Sequence, residues 1–209
     1  MLKHEVLKKI IDEKLMAIIR VETNERAEEI VSSCIAGGIS TMEISYTNNN
    51  AGEVIKFLRE KFEKKALIGA GTVLDSETAR HAILNGAQFI IAPNFDIGVA
   101  KLCNRYQILY MPGCSSMTEI VVALENGADM IKAFPTSSMF GPKIVSTIKT
   151  PLPFVPVLSS GGANFDNIKE WLENGVDCIG IGSLLSKGDK DTILNNAKQL
   201  REIVNTNNH

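Results

Sequence analysis

A closed parallel (β/α)8 barrel is the fold class this sequence predicts, and three observations predict it. Short apolar or β-branched runs alternate with amphipathic helical stretches about every 20 to 25 residues, as stacked βα units require. Eight such runs occur. Within each run hydrophobicity is nearly continuous, the mark of strands covered on both faces, and no long linker separates them. An open, doubly wound sheet is the competing arrangement.

Taken in order, the chain begins with an amphipathic segment (Leu2, Val6, Leu7, Ile10, Ile11) that reads as an extra helix closing the barrel's amino-terminal end. Strands are predicted over residues 16–20, 41–45, 66–70, 89–92, 108–111, 130–133, 154–158 and 178–181. Between them, helices are predicted over 25–36, 51–62, 76–84, 118–126 and 167–174, several preceded by Asn, Asp or Ser residues suited to capping. Gly37-Gly38, Gly86, Gly127 and Gly175 stand where a left-handed residue would end a helix before the next strand. The polar tail, residues 205–209, is expected to fray.

The chain has 209 residues, 44% apolar and 22% charged, which suits one domain spanning 1–209. A formal charge of −2, with basic and acidic residues interspersed, argues against nucleic acid or a membrane surface as partner. The first residues alternate charged and apolar side chains, unlike an export signal, and no run is long enough to span a bilayer. Cys34, Cys103, Cys114 and Cys178 lie far apart, with no Cys-x-x-Cys pair and no histidine at ligand spacing. A cytoplasmic protein without disulfides, metal or cofactor is therefore expected. His4, His81 and His209 fall in helical or terminal segments, which disfavours a histidine base.

Reacting groups in such barrels sit at the carboxyl ends of strands, so charged residues interrupting strand cores are the candidates. Lys132 lies in the sixth run, Glu43 in the second, and Arg20 ends the first. An enclosed lysine loses the hydration that favours its ammonium form, which frees the amine to attack a carbonyl and form a Schiff base. Runs two and six are both even-numbered, and alternate strands contribute to the same interior layer, so Lys132 and Glu43 are placed to meet. A carboxylate there can pass protons between substrate hydroxyl, carbinolamine and enamine carbon. The competing readings are a lysine reaching out to solvent and a structural ion pair of Glu43 with Lys132 or Arg20. Arg20 suits a planar carboxylate, or it orients Glu43; the residues leave both open.

Glycine-rich loops form a second signal. Ser159-Ser160-Gly161-Gly162 and Gly180-Ile181-Gly182-Ser183 follow the last two runs, where barrels commonly set a phosphate against backbone amides. Gly69-Ala70-Gly71-Thr72 is similar, with Thr72 able to line the pocket, and it lacks the third glycine of a dinucleotide fingerprint. Cys114, after the fifth run, reads as a packing residue, and Asp129 and Asp177 precede their strands and belong at the opposite end.

In chain order these residues resemble the 2-keto-3-deoxy-6-phosphogluconate (KDPG) / 4-hydroxy-2-oxoglutarate (KHG) aldolase family, from about Met16 to Leu185. The resemblance is carried by Glu43, Gly69-Ala-Gly-Thr-Val73, Ala92-Pro93, Met111-Pro-Gly113, Lys132-Ala-Phe-Pro135, Gly161-Gly162 and Gly182-Ser183. It implies a metal-free class I aldolase cleaving KDPG to pyruvate and glyceraldehyde 3-phosphate, or KHG to pyruvate and glyoxylate, and a homotrimer. Lys132 would form the imine, Glu43 would shuttle protons and Arg20 would assist at the centre. By the same implication Thr72, Pro93 and Phe134 line the pocket, and Ser160, Gly161, Gly162, Gly182 and Ser183 receive the phosphate. Two positions depart from the family pattern. Thr47 stands where many members carry an arginine at the pocket mouth, and Ser160 replaces a threonine. The first leaves the substrate choice open, with KDPG ranked ahead of KHG on the intact phosphate-type loops. A phosphate-binding transferase or isomerase, of the thiamine-phosphate synthase or sugar-phosphate epimerase kind and without an imine, and a non-catalytic sugar-acid binder are the alternatives.

Overall fold

The computed structural model describes residues 3–207. Helix α1 (Lys3–Glu13) leads into β1 (Leu15–Ile19), α2 (Asn24–Ala36), β2 (Thr41–Ser45), α3 (Ala51–Phe62), β3 (Leu67–Gly71), α4 (Ser76–Leu84) and β4 (Phe89–Ile91). There follow α5 (Ile97–Tyr106), β5 (Leu109–Met111), β6 (Gly113–Cys114), α6 (Met117–Glu125), β7 (Ile131–Ala133), α7 (Thr136–Phe140) and α8 (Lys143–Lys149). The chain ends with β8 (Val157–Ser160), α9 (Ile168–Glu173), β9 (Cys178–Ile181), α10 (Ser183–Ser186) and α11 (Lys190–Thr206). Asp75 and Ser116 cap α4 and α6 as expected from sequence, and Thr23, Asp96 and Asp189 cap α2, α5 and α11 in the same way, each accepting a first-turn backbone N–H, whereas Asn50 before α3 and Asn167 before α9 make no side-chain cap bond.

All strands are parallel, in the order β5-β4-β3-β2-β1-β9-β8-β7-β6. The ends of that order are the same piece of chain, because only Pro112 separates β5 from β6. On one side the Gly113 amide donates to Ala92 at 3.0 Å, and on the other the Lys132 amide donates to Pro112 at 2.8 Å, which brings the ring together. The fold is thus the predicted (β/α)8 barrel, its fifth strand broken in two at a proline that has no N–H to give the ladder.

Strand alternation separates two cores. Leu15, Ala17, Ile19, Ile131, Val157 and Ile179 face outward and pack against the helices. Met16, Leu67, Phe89, Leu109, Met130 and Leu158 face inward, and Val6 and Ile10 of α1 cover them. The leading helix therefore plugs the barrel's amino-terminal end, each of those two side chains contributing about 1.5–3 kcal/mol of burial. Leu2 lies outside the described residues.

Two local expectations are corrected. The seventh predicted strand starts at Val157 rather than at residue 154, and it runs on through Ser159 and Ser160, which had been read as loop. Phe154 lies 73% exposed between Pro153 and Pro156, whose rings restrict the backbone and remove ladder donors. The tail is helical through Thr206, with the Asn207 side-chain amide donating to Ile203 at 2.7 Å, so fraying does not begin at residue 205. Residues 208–209 lie outside the described residues.

Candidate active site

Above the inner apolar core the inward positions change character. Glu43 on β2 pairs in register with Ile18 on one side and Gly69 on the other, and is 1% exposed. It fits because a β-carbon at Gly71 would overlap its carboxylate, so the glycine of β3 makes room for the acid. Its Oε2 is buried without a protein hydrogen-bond partner, a state native proteins rarely leave unmet, and one that marks a place for a donor from outside the chain.

Lys132 on β7 lies between Gly113 of β6 and Leu158 of β8 and is 6% exposed, so it does not reach out to bulk solvent. Its Nζ stands 4.8 Å from the centre of the Phe134 ring. Among the described residues, ion pairs within 4.0 Å join neither Lys132 nor Arg20 to Glu43. The structural ion-pair reading of Glu43 therefore lacks its contact.

A cleft of about 260 Å³ gathers Arg20, Phe134, Ser160, Gly161, Gly162, Gly182 and Ser183 together with Ile18, Ala163 and Gly180; Lys132 and Glu43 are not among its lining residues. Seven residues singled out from sequence thus share one wall although they come from four separate strand ends. Gly161 and Gly162 both have left-handed backbone (φ 95° and 86°), which L side chains adopt only under strain. The turn is braced: Ser137 Oγ donates to the Ser160 carbonyl at 2.7 Å, and Asn167 Nδ2 to the Gly162 carbonyl at 2.8 Å. A guanidinium, two hydroxyls and side-chain-free backbone around so small a space suit a compact anion.

Thr72, Thr47 and Pro93 do not line that cleft. Thr72, just past β3, has φ 60°, an outlying backbone for a β-branched residue that costs on the order of 1–3 kcal/mol. Its hydroxyl is 2.8 Å from that of Ser45, which lies 3.2 Å from the hydroxyl of Thr47. Pro93 is half-buried, its carbonyl so close to Gly113 that a β-carbon there would overlap it. These three residues belong to the β2–β4 side of the mouth, across from the glycine loops.

Cys114 is buried in the outer core, and burial, with a smaller contribution from the Glu119 charge, pushes its thiol up to about 12, as befits a packing residue. Asp129 and Asp177 are at the amino-terminal end, Asp129 paired with Lys3 at 3.1 Å and Asp177 with Lys149 at 2.7 Å. Among the described residues no cluster of three or more His, Cys, Asp or Glu side chains is placed to hold a metal ion, and no helix is long and apolar enough to cross a membrane. Sequence reasoning singled out neither Ile18 nor Ser45, and it named Gly71 only within a glycine-rich stretch, without its place beneath Glu43. The signal for the first two was the two-residue period, since Ile18 precedes Arg20 by two and Ser45 follows Glu43 by two.

Comparison with known proteins agrees with the barrel fold and identifies the family. The family model described as KDPG and KHG aldolase matches residues 6–203. The 2-dehydro-3-deoxy-6-phosphogalactonate aldolase of Escherichia coli is 35% identical over 170 residues, covering 81% of this chain and 82% of that protein. The 2-dehydro-3-deoxy-phosphogluconate aldolase of Treponema pallidum is 33% identical over 159 residues, covering 76% of this chain and 75% of that protein. A solved structure described as native KDPGal superposes with a TM-score of 0.87 at 31% identity, covering 92% of this chain and 95% of that one. The transferase, isomerase and non-catalytic alternatives give way to these matches. The chain belongs to the KDPG and KHG aldolase family and is an aldolase, a carbon–carbon lyase.

Proposed function

We propose that the chain is a class I pyruvate aldolase acting through an imine on Lys132. The observation that carries the reading is the burial of a lysine and a glutamate inside the barrel, the glutamate with one unpartnered oxygen, beside a cleft built for an anion. The Lys132 amine adds to the C2 carbonyl of a 2-oxo acid, and loss of water from the carbinolamine leaves the imine. The C3–C4 bond then breaks, its electrons flow into the imine as an enamine, and the C4 hydroxyl proton passes to Glu43 directly or through one water. Protonation of the enamine and hydrolysis release pyruvate and restore the lysine. The Phe134 ring beside Nζ keeps bulk water from the amine.

Arg20 holds or neutralises an anionic group at the centre. Ser160, Gly161, Gly162, Gly182 and Ser183 take the phosphate, and Thr72, Pro93, Phe134 and Thr47 line the remaining walls. KDPG is the first-ranked substrate and KHG the second, because the glycine cleft has the size and polarity for a phosphate. The proposal includes a homotrimer and a cytoplasmic location, the latter in keeping with four buried free thiols.

The deciding experiment incubates the protein with pyruvate and borohydride and maps the adduct by mass spectrometry. A stable adduct at Lys132 is expected, and Lys132→Arg, whose guanidinium stays protonated, should lose roughly 10⁴-fold or more in turnover. An unmodified Lys132, or appreciable turnover by the variant, would remove the imine. Pyruvate release from KDPG and from KHG on the same preparation ranks the substrates.

A further inference from the structure

Gly182 and Ser183 line the cleft where β9 gives way to α10, a helix of only four residues. A single turn has too few internal bonds to hold itself in place, and the carbonyls of its last residues need donors from elsewhere. Side chains of two other helices supply them. Asn196 Nδ2 of α11 donates to the Leu184 carbonyl at 2.8 Å, and Arg26 Nη2 of α2 donates to the Ser186 carbonyl at 3.2 Å and to the Gly188 carbonyl at 2.6 Å. A guanidinium only donates and a carbonyl only accepts, so the direction of the Arg26 bonds is fixed. Arg26 is itself held, its Nη1 donating to Glu29 Oε2 at 2.8 Å and its backbone N–H to Thr23 Oγ1 at 3.2 Å. The segment that leaves β1 past Arg20 is thereby tied to the segment that leaves β9 past Ser183, and those two strands are neighbours in the barrel.

We propose that Arg26 is a positioning residue for phosphate recognition: from outside the cleft lining it fixes α10 against α2 and so sets Gly182 and Ser183 at hydrogen-bonding distance from the phosphate of the substrate. The inference rests on the phosphate reading of the cleft given above. Hydrogen bonds to an anion weaken steeply with misplacement, so a turn left loose behind Ser183 loses them first. Glu29 balances the charge of Arg26, which leaves geometry rather than attraction at a distance as its contribution. The phosphate lies away from the carbons that react, so the loss falls on binding more than on turnover.

The test is condensation of pyruvate, on the full-length protein, with D-glyceraldehyde 3-phosphate and with D-glyceraldehyde, the same aldehyde without its phosphate. Wild type should prefer the phosphorylated aldehyde by about tenfold or more in kcat/KM. Arg26→Ala should raise KM for that aldehyde about tenfold with a smaller fall in kcat, and leave kcat/KM for D-glyceraldehyde within about twofold of wild type. Arg26→Lys keeps the charge but not the fork that spans two carbonyls and Glu29, and should fall between the two. Arg201 is the control for a brace that only supports the fold: it also donates to two backbone carbonyls, those of Gly38 and Glu13, and pairs with the Glu13 carboxylate, at the amino-terminal end of the barrel. Arg201→Ala should lower the thermal midpoint and keep the wild-type preference. Arg26 variants that keep the wild-type preference or lose both aldehydes alike, or an equal shift in Arg201→Ala, overturn the inference; should the alanine variant not fold, the lysine variant decides. A wild-type protein indifferent to the phosphate removes the phosphate reading of the cleft and this inference with it, whereas the Lys132 adduct tests the imine separately.

Discussion

Burying a carboxylate beside β3 requires a residue beneath it with no side chain. Gly71 meets that need, since a β-carbon there would occupy the space of the Glu43 carboxylate. Gly71→Ala is accordingly expected to push Glu43 out of line while leaving Lys132 in place. Turnover should fall on the order of 10²-fold, within the range for losing a general acid–base, whereas the borohydride adduct at Lys132 should persist. Overpacking should cost about 1–3 kcal/mol of stability, measured by urea unfolding. An unchanged kcat in a folded Gly71→Ala protein would detach Glu43 from the chemistry. The identity of Glu43 is legible in the sequence because a charge inside a strand core stands out, but Gly71 stands out there only as part of a glycine-rich stretch after the third run.

Among the elements, α6 has the most complete start. The Ser116 hydroxyl accepts the Glu119 N–H at 3.3 Å, and Glu119 Oε2 accepts from the Ser116 N–H at 3.1 Å, the Ser115 N–H at 2.6 Å and the Ser115 hydroxyl at 2.7 Å. The hydrogen bond from the Ser115 hydroxyl, followed by that from its N–H, holds the Glu119 carboxyl below its ordinary value. A carboxyl whose pKa is lower in the folded than in the unfolded chain stabilises the fold above the ordinary carboxylate range, and loses that contribution as pH falls through the folded value. Glu119→Gln should therefore be less stable than wild type at neutral pH, with the gap in thermal midpoint closing in acid. Ser116→Ala should cost about 1 kcal/mol at neutral pH. A gap of equal size at all pH values would sever the cap from the charge. Helix limits were read to within a residue for α2, α4 and α6, whose starts are capped by Thr23, Asp75 and Ser116, and α3 matches its expected bounds without a side-chain cap. The strand that was misplaced, β8, follows Pro153 and Pro156 and takes its limits from partners distant in sequence.

For the whole molecule, Leu74, Ile97, Met117 and Val121 stand exposed on the crossovers that follow β3, β4 and β6, successive neighbours around one side of the barrel. Apolar groups clustered this way are the face expected to be covered by copies of the chain in the proposed trimer. Light scattering should give a mass three times the 22.8 kDa of one chain, and Ile97→Glu combined with Val121→Glu should lower it to that of a single chain without changing the circular dichroism. A wild-type mass of one chain would rule out the trimer.

By itself the sequence determined the alternation of strands and helices, the closed parallel barrel, the plugging helix and the inward placement of Lys132 and Glu43. These follow from periodicity, apolar continuity and the rarity of charge inside strands, which are properties of a few neighbouring residues. Only the tertiary structure decided that Arg20 shares a cleft with Gly161, Gly162 and Ser183, that Gly71 seats Glu43, and that Ser45 joins Thr72 to Thr47. Those meetings depend on which strands become neighbours and in what register when the ring closes, and that is fixed by packing and hydrogen bonds between segments far apart along the chain.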